Sequence, residues 1–558
     1  MITNDLELPS QNIIKNPENW NVDTNQPLVE SLLKTMGQDY FPEFYLQNES
    51  SVKHPAQPYT IDSCEAEQIP ACQSQVLSED DFINAITKDI NLSDDLLPSH
   101  ACDSFTFAQT PLDMSGAGDE LESCTKLEKP DFEGLVGMIL SPLSVPIFNL
   151  EPFDVYAIRK DFPILEEKVN GKKLVWFDNA ATTQKPRQVI KRLSYFYEHE
   201  NSNVHRAAHT LAARTTNAYE GARNKISSFL NAASSEEIVF VRGTTEGINL
   251  VAQTYGLYSL TENDEVIVTL LEHHANIVPW QMICAKTGAK LRTIPVDDKG
   301  QVILSEYEKL LSAKTKIVAF THVSNVLGTI TPVAKMINMA HRYGAKVLVD
   351  GAQAVAHLKV DVQALDCDFY VFSGHKIFGP TGIGVLYGKS DLLDSMRPYQ
   401  GGGNMISDVT FEQTTYKSPP HRFEAGTGSI ADAIGLGAAI DYVTHIGLDS
   451  IFQYEHQLLE YLRESIQQIP GLLLFGNAIQ KTSVLSFKLK EFTTEEVGKA
   501  LNDEGIAVRT GHHCSQPILR RFGLESMVRA SLAFYNTREE IDFFISVLQK
   551  ITNGRTFW

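Results

Sequence analysis

The sequence predicts an α/β protein, in which a mainly parallel sheet with helices on both faces is followed by a smaller α+β domain. Between residues 236 and 373, short apolar runs rich in β-branched residues recur, and most are separated by segments of helical periodicity. Such runs are typical of strands in βαβ units. After about Gly426 the segments become mostly helical, with three more candidate strands. The five strand candidates of the first part are EEIVFV, DEVIVTL, KIVAFTHV, AKVLVD and CDFYVFS.

The net charge is unevenly distributed along the chain. Residues 1–150 hold 25 acidic residues against six lysines and no arginine, a net charge of −19, whereas the rest of the chain sums to −2. We therefore predict an acidic extension at 1–150, partly disordered or a small helical module, whose role is unknown. A large domain follows at 151–425, with a lead-in at 151–170, and a small domain at 426–558. Acidity argues against nucleic-acid binding, because phosphates are bound by lysine and arginine.

The sequence gives no indication of export or membrane insertion. No stretch approaches the roughly 20 apolar residues of a membrane helix, and the first residues lack a basic start and an apolar segment. The seven cysteines form no CxxC pair, which argues against a zinc ribbon or a disulfide framework. We expect a cytoplasmic protein with reduced thiols, one of which can serve as a nucleophile.

Polar residues follow several predicted strands at their carboxyl ends, where open α/β sheets bind ligands. The first strand leads through Gly243, Thr244 and Thr245 into a helix. The backbone N–H groups and hydroxyls of this turn suit a phosphate, although such a turn alone is more often only a helix cap.

A histidine pair, His273 and His274, follows the second strand. The pair raises the possibility of a metal site, but no Asp, Glu or His lies three or four positions away, as it does in helix-borne zinc sites. We therefore expect no metal. A single loop histidine has either a structural role or a place against the face of a flat heteroaromatic cofactor.

Asp350 and Lys376 are charged residues that end or follow apolar strands. A carboxylate at such a position is costly unless it meets a cation, so Asp350 suits a pyridinium nitrogen, or equally a helix N-cap. Lys376 lies among Gly, Phe and Pro, where desolvation lowers the pKa of an amine and favours imine formation, although most isolated lysines are solvated. The ordered combination of turn, histidine, aspartate and lysine is more specific than any of its members.

Cys514 lies in the segment RTGHHCSQP, among small and polar residues and five positions after Arg509. Nearby positive charge favours the thiolate, which is the reactive form of cysteine. A buried inert cysteine is the common alternative, but it would be expected within an apolar run. The segment therefore predicts a nucleophile.

Together these motifs resemble the fold type I, class V aminotransferase group of pyridoxal-phosphate enzymes, and in detail the group II, SufS-like cysteine desulfurases. The resemblance extends from about residue 153 to 552. It implies a large domain with a mainly parallel seven-stranded sheet and a small α+β domain carrying the nucleophilic cysteine. It implies nothing about the N-terminal extension. The motifs that carry it are Thr-Thr, Glu-His-His-Ala-Asn, Asp-Gly-Ala-Gln, Ser-Gly-His-Lys and Arg-Thr-Gly-His-His-Cys-Ser-Gln-Pro.

The resemblance also implies a role for each matching residue, with pyridoxal 5′-phosphate as the cofactor and a homodimer as the active form. The implied catalytic residues are Cys514, Lys376 and His273. The implied cofactor contacts are Lys376, Asp350, Gln353, His273, Thr244, Thr245, Ser373 and His375, with Thr427 from the other subunit. The implied substrate contacts are Asn325, Arg509, Arg529 and Arg206.

The implied reaction converts L-cysteine to L-alanine and leaves the sulfur on Cys514 as a persulfide. A SufE-like or SufU-like acceptor would take this sulfur for iron–sulfur cluster assembly. A selenocysteine lyase or cysteine-sulfinate desulfinase is the alternative within the same fold, because selenium and sulfinate leave without an attacking thiolate. A non-catalytic scaffold is the alternative from another class, which the joint presence of Lys376, Asp350 and Cys514 disfavours.

Overall fold

The computed structural model describes residues 153–205 and 209–554. The acidic extension predicted at 1–150 and the predicted substrate contact Arg206 lie outside these described residues. No helix in the described ranges combines the length and the apolar character that a bilayer crossing requires.

The described helices and strands alternate over most of the chain. The helices are α1 (Val155–Arg159), α2 (Arg187–His199), α3 (Thr210–Leu230), α4 (Thr244–Val251), α5 (Leu257–Ser259), α6 (Val278–Thr287), α7 (Leu304–Leu310), α8 (Val333–His341), α9 (Val362–Leu365), α10 (Ser390–Ser395), α11 (Ile430–Ile446), α12 (Leu448–Ile466), α13 (Thr494–Asp503), α14 (Gln516–Arg521) and α15 (Arg538–Thr552). The strands are β1 (Lys168–Val169), β2 (Lys172–Lys173), β3 (Val175–Trp176), β4 (Ile238–Val241), β5 (Glu265–Thr269), β6 (Lys290–Ile294), β7 (Thr315–Thr321), β8 (Lys346–Asp350), β9 (Phe369–Ser373), β10 (Gly384–Gly388), β11 (Ile406–Val409), β12 (Thr414–Tyr416), β13 (Leu472–Phe475), β14 (Val484–Leu489), β15 (Ile506–Ala507), β16 (Arg509–Gly511) and β17 (Met527–Ser531).

Seven strands form one sheet in the order β4-β10-β9-β8-β7-β5-β6. Strand β10 is antiparallel to both of its neighbours, and the other six strands run in the same direction. The predicted mainly parallel seven-stranded sheet is therefore confirmed. Each of the five apolar runs forms one of these strands, and helices cover both faces of the sheet. As a result, alternate residues of a strand such as β7 belong to different apolar clusters, with Val318 on one face and Ala319 on the other.

The large sheet places functional residues together because six of its strands end at the same edge. The turns after β4, β5, β7, β8 and β9 all lie along this edge. These are the turns that the sequence singled out for their polar residues. The carboxyl edge of such a sheet is where α/β folds bind ligands.

Helix α11 packs on the large-sheet side of the molecule, against α2 and α3. Its Ile434 and Leu436 belong to the same apolar cluster as the sheet. Helix α11 can approach α3 closely because position 437 is glycine: a Cβ there would lie 2.9 Å from the Cβ of Ala222. The boundary at residue 426 stays a prediction, and the first helix after it shares the core of the large sheet.

A second, antiparallel sheet has the order β13-β14-β17-β16 and packs with α12, α13 and α15 around its own apolar cluster. This arrangement confirms the predicted smaller α+β part of the fold. Strand β3, from the start of the described chain, pairs in parallel with β15 as a separate two-stranded sheet. In the pairing of β16 with β17, Arg509 lies opposite Arg529, so the register of this sheet brings two predicted substrate contacts together.

Candidate active site

A cavity of about 200 Å³ lies at the carboxyl edge of the large sheet and is closed by the small sheet. The predicted site residues that line it are Thr244, Thr245, His273, Asn325, Asp350, Gln353, Ser373, His375, Lys376, Arg509 and Arg529. Residues to which the sequence analysis gave no role also line it: Ala180, Ala181, Ala275, Thr321, Val323, Ala352 and His513. Tertiary structure therefore brings most of the predicted residues to one place.

One end of the cavity is formed by the first turn of α4. Ser373 Oγ accepts a hydrogen bond from Thr244 N at 2.8 Å and lies 2.8 Å from Thr244 Oγ1. The two segments approach so closely that a Cβ at Gly243 would lie 3.1 Å from Ser373 Oγ. The N-terminal end of a helix and a cluster of hydroxyls favour an anion, so this end is suited to a phosphate.

The floor of the cavity contains Asp350 at the tip of β8. The side chain is 3% exposed, and one of its oxygens accepts a hydrogen bond from Ala352 N at 2.9 Å. Burial raises the pKa of this carboxyl, whereas the charge of Lys376 opposes that shift. The next residue has to be glycine, because a Cβ at Gly351 would lie 2.1 Å from the ring of Tyr370. A buried carboxylate here needs a cationic partner.

Lys376 lies in a 3₁₀ turn, Gly374–Lys376, directly after β9. Burial lowers the pKa of its amine, and the nearby charge of Asp350 opposes this effect. A lowered pKa raises the share of neutral amine, which is the nucleophilic form. The turn therefore presents an amine suited to imine formation.

His273 begins the 3₁₀ turn that follows β5, and its Nδ1 accepts a hydrogen bond from Ala275 N at 3.0 Å. Burial, followed by the charge of Lys376, lowers the pKa of His273 to about 3. The ring is therefore neutral near pH 7, with its proton on Nε2. Gln353 is held on another wall of the cavity by donating from Nε2 to Ala180 O at 2.6 Å.

Glu272 is a positioning residue that the sequence analysis left without a role. Its carboxyl group is fully buried and is hydrogen-bonded by Asn276 Nδ2 at 2.7 Å, by Thr321 N at 3.1 Å and by Thr269 Oγ1. Burial raises the pKa of Glu272 to about 8. These bonds fix the chain on both sides of His273. The sequence signal for this role was an acidic residue, Glu272, and an amide residue, Asn276, on either side of the histidine pair.

The opposite end of the cavity is cationic. Arg529 Nη1 donates to Asn325 O at 2.9 Å, and Arg529 Nη2 donates to Asp178 Oδ1 at 2.9 Å. Among the described residues, Nε of Arg529 is buried without a partner. Arg509 lies across from it in the small sheet. Two arginines with a free donor suit a carboxylate ligand. Asp178 was missed, because its ion pair joins segments distant in the sequence.

The loop of Cys514 is attached to the cavity wall by three hydrogen bonds. Asn325 Nδ2 donates to His513 O at 2.9 Å, Ser515 Oγ donates to Asn325 Oδ1 at 3.0 Å, and His274 N donates to Cys514 O at 2.7 Å. His513 and Cys514 have φ angles of 52° and 56°, which side-chain-bearing residues seldom adopt. Cys514 is partly exposed and adjoins the cavity beside His513 rather than lining it.

Thr427 lies apart from the other predicted cofactor contacts. It lines a different cavity of about 410 Å³, together with Arg242 and Glu246. Within one chain, therefore, the structure does not bring Thr427 to the site. Its contribution from a second subunit stays a prediction, as does the role of Arg206, which lies outside the described residues.

A family model, two relatives and a solved structure that match this chain all indicate the same protein family. Residues 175–544 match the family model "Aminotransferase class-V". The chain is 66% identical over 402 residues to a cysteine desulfurase of Synechococcus elongatus; the alignment covers 72% of this chain and 64% of that relative's length. It is 53% identical over 400 residues to the cysteine desulfurase of Salmonella typhimurium, covering 72% of this chain and 98% of that protein. The apo structure of a cysteine desulfurase from Thermococcus onnurineus superimposes with a TM-score of 0.69 at 38% identity, covering 72% of this chain and 98% of that one.

Proposed function

Because the chain belongs to the class-V aminotransferase family and, within it, to the cysteine desulfurases, we propose that it removes the sulfur of L-cysteine and leaves L-alanine. The observation that carries this proposal is the attachment of the Cys514 loop to the wall of the cavity that contains Lys376. An amine and a thiol at one cavity supply the two groups that the reaction needs, one for the Cα proton and one for the sulfur.

The cavity fits pyridoxal phosphate as the cofactor. Its anion-binding end at Thr244, the buried carboxylate of Asp350 and the amine of Lys376 match the phosphate, the ring nitrogen and the aldehyde of that molecule. When bound, pyridoxal phosphate stabilises the negative charge that develops at Cα of an amino acid. The residues that we assign to it are Lys376, Asp350, Gln353, His273, Thr244, Thr245, Ser373 and His375, with Thr427 from a second subunit.

Different residues of this chain carry out the successive steps of the reaction. Arg529 and Arg509 hold the substrate carboxylate, and Nζ of Lys376 takes the proton from Cα. The thiolate of Cys514 attacks the sulfur of the substrate, so that a sulfur–sulfur bond forms while the carbon–sulfur bond breaks. The carbon fragment takes up a proton at Cβ, Nζ of Lys376 returns the proton to Cα, and the product leaves as alanine. The neutral ring of His273, which lines the same cavity, would lie against the face of the cofactor.

A single-turnover experiment tests this function. With L-cysteine and no acceptor, we expect one alanine per active site and one added sulfur atom on the peptide that contains Cys514, measured by amino-acid analysis and mass spectrometry. The variant Cys284→Ala should behave like the wild type, since Cys284 lies in an apolar cluster behind the sheet. Sulfur on a different cysteine, or no alanine at all, would contradict the proposal.

The partial exposure of the Cys514 thiol supports a proposal for the protein that accepts the sulfur. Cys514 is partly exposed, so a persulfide on it is within reach of a thiol on another protein, and a SufE-like or SufU-like acceptor for iron–sulfur cluster assembly fits this role.

We further propose a homodimer, because Thr427 lies away from the cavity of its own chain. A cytoplasmic location remains part of this proposal.

Residues 1–150 are proposed to be a tethered interaction module that the chemistry does not need. The match to the Salmonella protein covers 98% of that relative but only 72% of this chain, and the extension carries nearly all of the net negative charge. Deleting 1–150 should leave alanine formation unchanged but lower acceptor-stimulated turnover at low salt, because a tether raises the local concentration of a basic partner. Turnover assays across a salt series measure both effects. A truncated chain that cannot bind cofactor would contradict this division.

A further inference from the structure

Three groups that commonly bind metal ions meet at the mouth of the cavity. One ring nitrogen of His274, one of His512 and the sulfur of Cys514 lie within 4.8 Å of one another. His274 follows β5 of the large sheet, whereas the other two belong to the loop after β16. The expectation of no metal rested only on residues close to the histidine pair along the chain. The fold supplies the missing partners from a distant segment.

In both histidines one ring nitrogen accepts a hydrogen bond from a backbone N–H at or just after the cysteine loop. Cys514 N donates to His512 Nδ1 at 3.0 Å, and Gln516 N donates to His274 Nε2 at 3.2 Å. Each of these ring nitrogens carries no proton, but its single lone pair already accepts the N–H hydrogen bond, so a metal ion would bind there by replacing that bond. The two rings lie with their centroids 5.6 Å apart and their planes 31° from parallel, so they flank one face of the loop.

The donor set and its spacing suit Zn²⁺. Zinc binds cysteine sulfur and histidine nitrogen at bond lengths that place the ligands of a tetrahedral site about 3.3 to 3.7 Å apart. The three groups therefore have to approach by about 1 Å, which the exposed side chain of His512 allows. Three protein ligands leave the fourth position open to solvent. When the thiol binds, its proton passes to the solvent and the ion bonds to the thiolate.

We propose that His274, His512 and Cys514 form a binding site for Zn²⁺ that occupies the nucleophile. The bound ion blocks attack on the substrate sulfur, so zinc acts as a reversible inhibitor that a chelator removes. The inhibition rests on the proposed desulfurase function, whereas the binding itself does not. None of the three residues lines the cavity assigned to the cofactor, so metal and cofactor bind together.

Equilibrium dialysis of the full-length holoenzyme against Zn²⁺, and titration with Co²⁺ as a spectroscopic probe, test the site. We expect one ion fewer per chain in Cys514→Ser than in the wild type, and a thiolate-to-cobalt absorption band that this variant lacks. His512→Ala should weaken binding at this site about tenfold or more. The matched controls are His199→Ala and Cys284→Ser, which remove an exposed histidine and a thiol elsewhere and should keep both the ion and the band.

The outcomes separate the two proposals. If Cys514→Ser and His512→Ala bind as much Zn²⁺ as the wild type, the metal site is wrong whatever the activity. If the metal-free wild type makes no alanine but binds cobalt through Cys514, the site stands and the desulfurase function fails. If zinc inhibits wild type and His512→Ala at the same concentration, the inhibitory role of this site is wrong.

Discussion

Replacing Lys376 with alanine is expected to reduce alanine formation from cysteine by about 10³- to 10⁴-fold. The substitution removes the only amine that we place at Cα, and the cavity holds no second lysine among its lining residues. The phosphate end at Thr244 and the carboxylate of Asp350 remain, so part of the cofactor should still bind without a covalent bond. Turnover is measured by alanine release, and the covalent bond by the near-ultraviolet and visible absorption of the protein.

A second buried lysine provides the matched control for this experiment. Lys481 is 6% exposed, burial lowers its pKa to about 7, and its amine donates to Gly476 O at 2.7 Å, away from the cavity. Lys481→Met therefore tests the loss of a buried amine in general. We expect it to retain turnover. A Lys376→Ala protein that works at the wild-type rate would remove this lysine from the proposed chemistry.

Replacing Cys514 with alanine is expected to reduce cysteine turnover by at least about 10³-fold while leaving elimination from selenocysteine or cysteine sulfinate largely intact. The reason is that only the cysteine substrate needs an attacking thiolate to break its bond to carbon. The hydrogen bond from His274 N to the backbone of Cys514 does not depend on the side chain, so the loop should stay in place. Parallel assays with the three substrates measure the difference.

The pattern across substrates decides between the desulfurase and its alternatives. Equal loss with all three substrates would indicate a damaged site rather than a missing nucleophile. No loss with cysteine would favour a lyase in which the thiol has no part. Cys284→Ala again serves as the control, because it removes a thiol from an apolar cluster and not from the site.

Local patterns were sufficient to predict which residues meet at the candidate site. Asp350 and Lys376 each end or follow an apolar run, and parallel strands bring such positions to one edge of a sheet whatever the connections between them. The same reasoning placed Thr244 and His273. The structure brings these residues to one cavity because strand burial has a local signature, the apolar run, and because the direction of parallel strands is set by their crossover helices.

Other features depend on which distant segments meet. Strand β3 pairs with the distant strand β15, and the register of the small sheet places Arg509 opposite Arg529. No local pattern reveals either pairing. Helix α11 lies on the large-sheet core although its sequence position suggested the small domain. Short strands and small-residue helices carry too little information along the chain to specify their neighbours.

The sequence was therefore enough for the fold class, for the order of strands along the chain and for proposing Lys376 and Cys514 as the reactive residues. Tertiary structure alone decided what the neighbouring side chains bind: Asp178 pairs with Arg529, the Glu272 carboxyl accepts from Thr321 N, and the His274 ring accepts from Gln516 N. The physical reason is that a strand or a helix is favoured by residues a few positions apart, whereas a hydrogen bond between distant segments forms only after the intervening chain has folded and closed the loop.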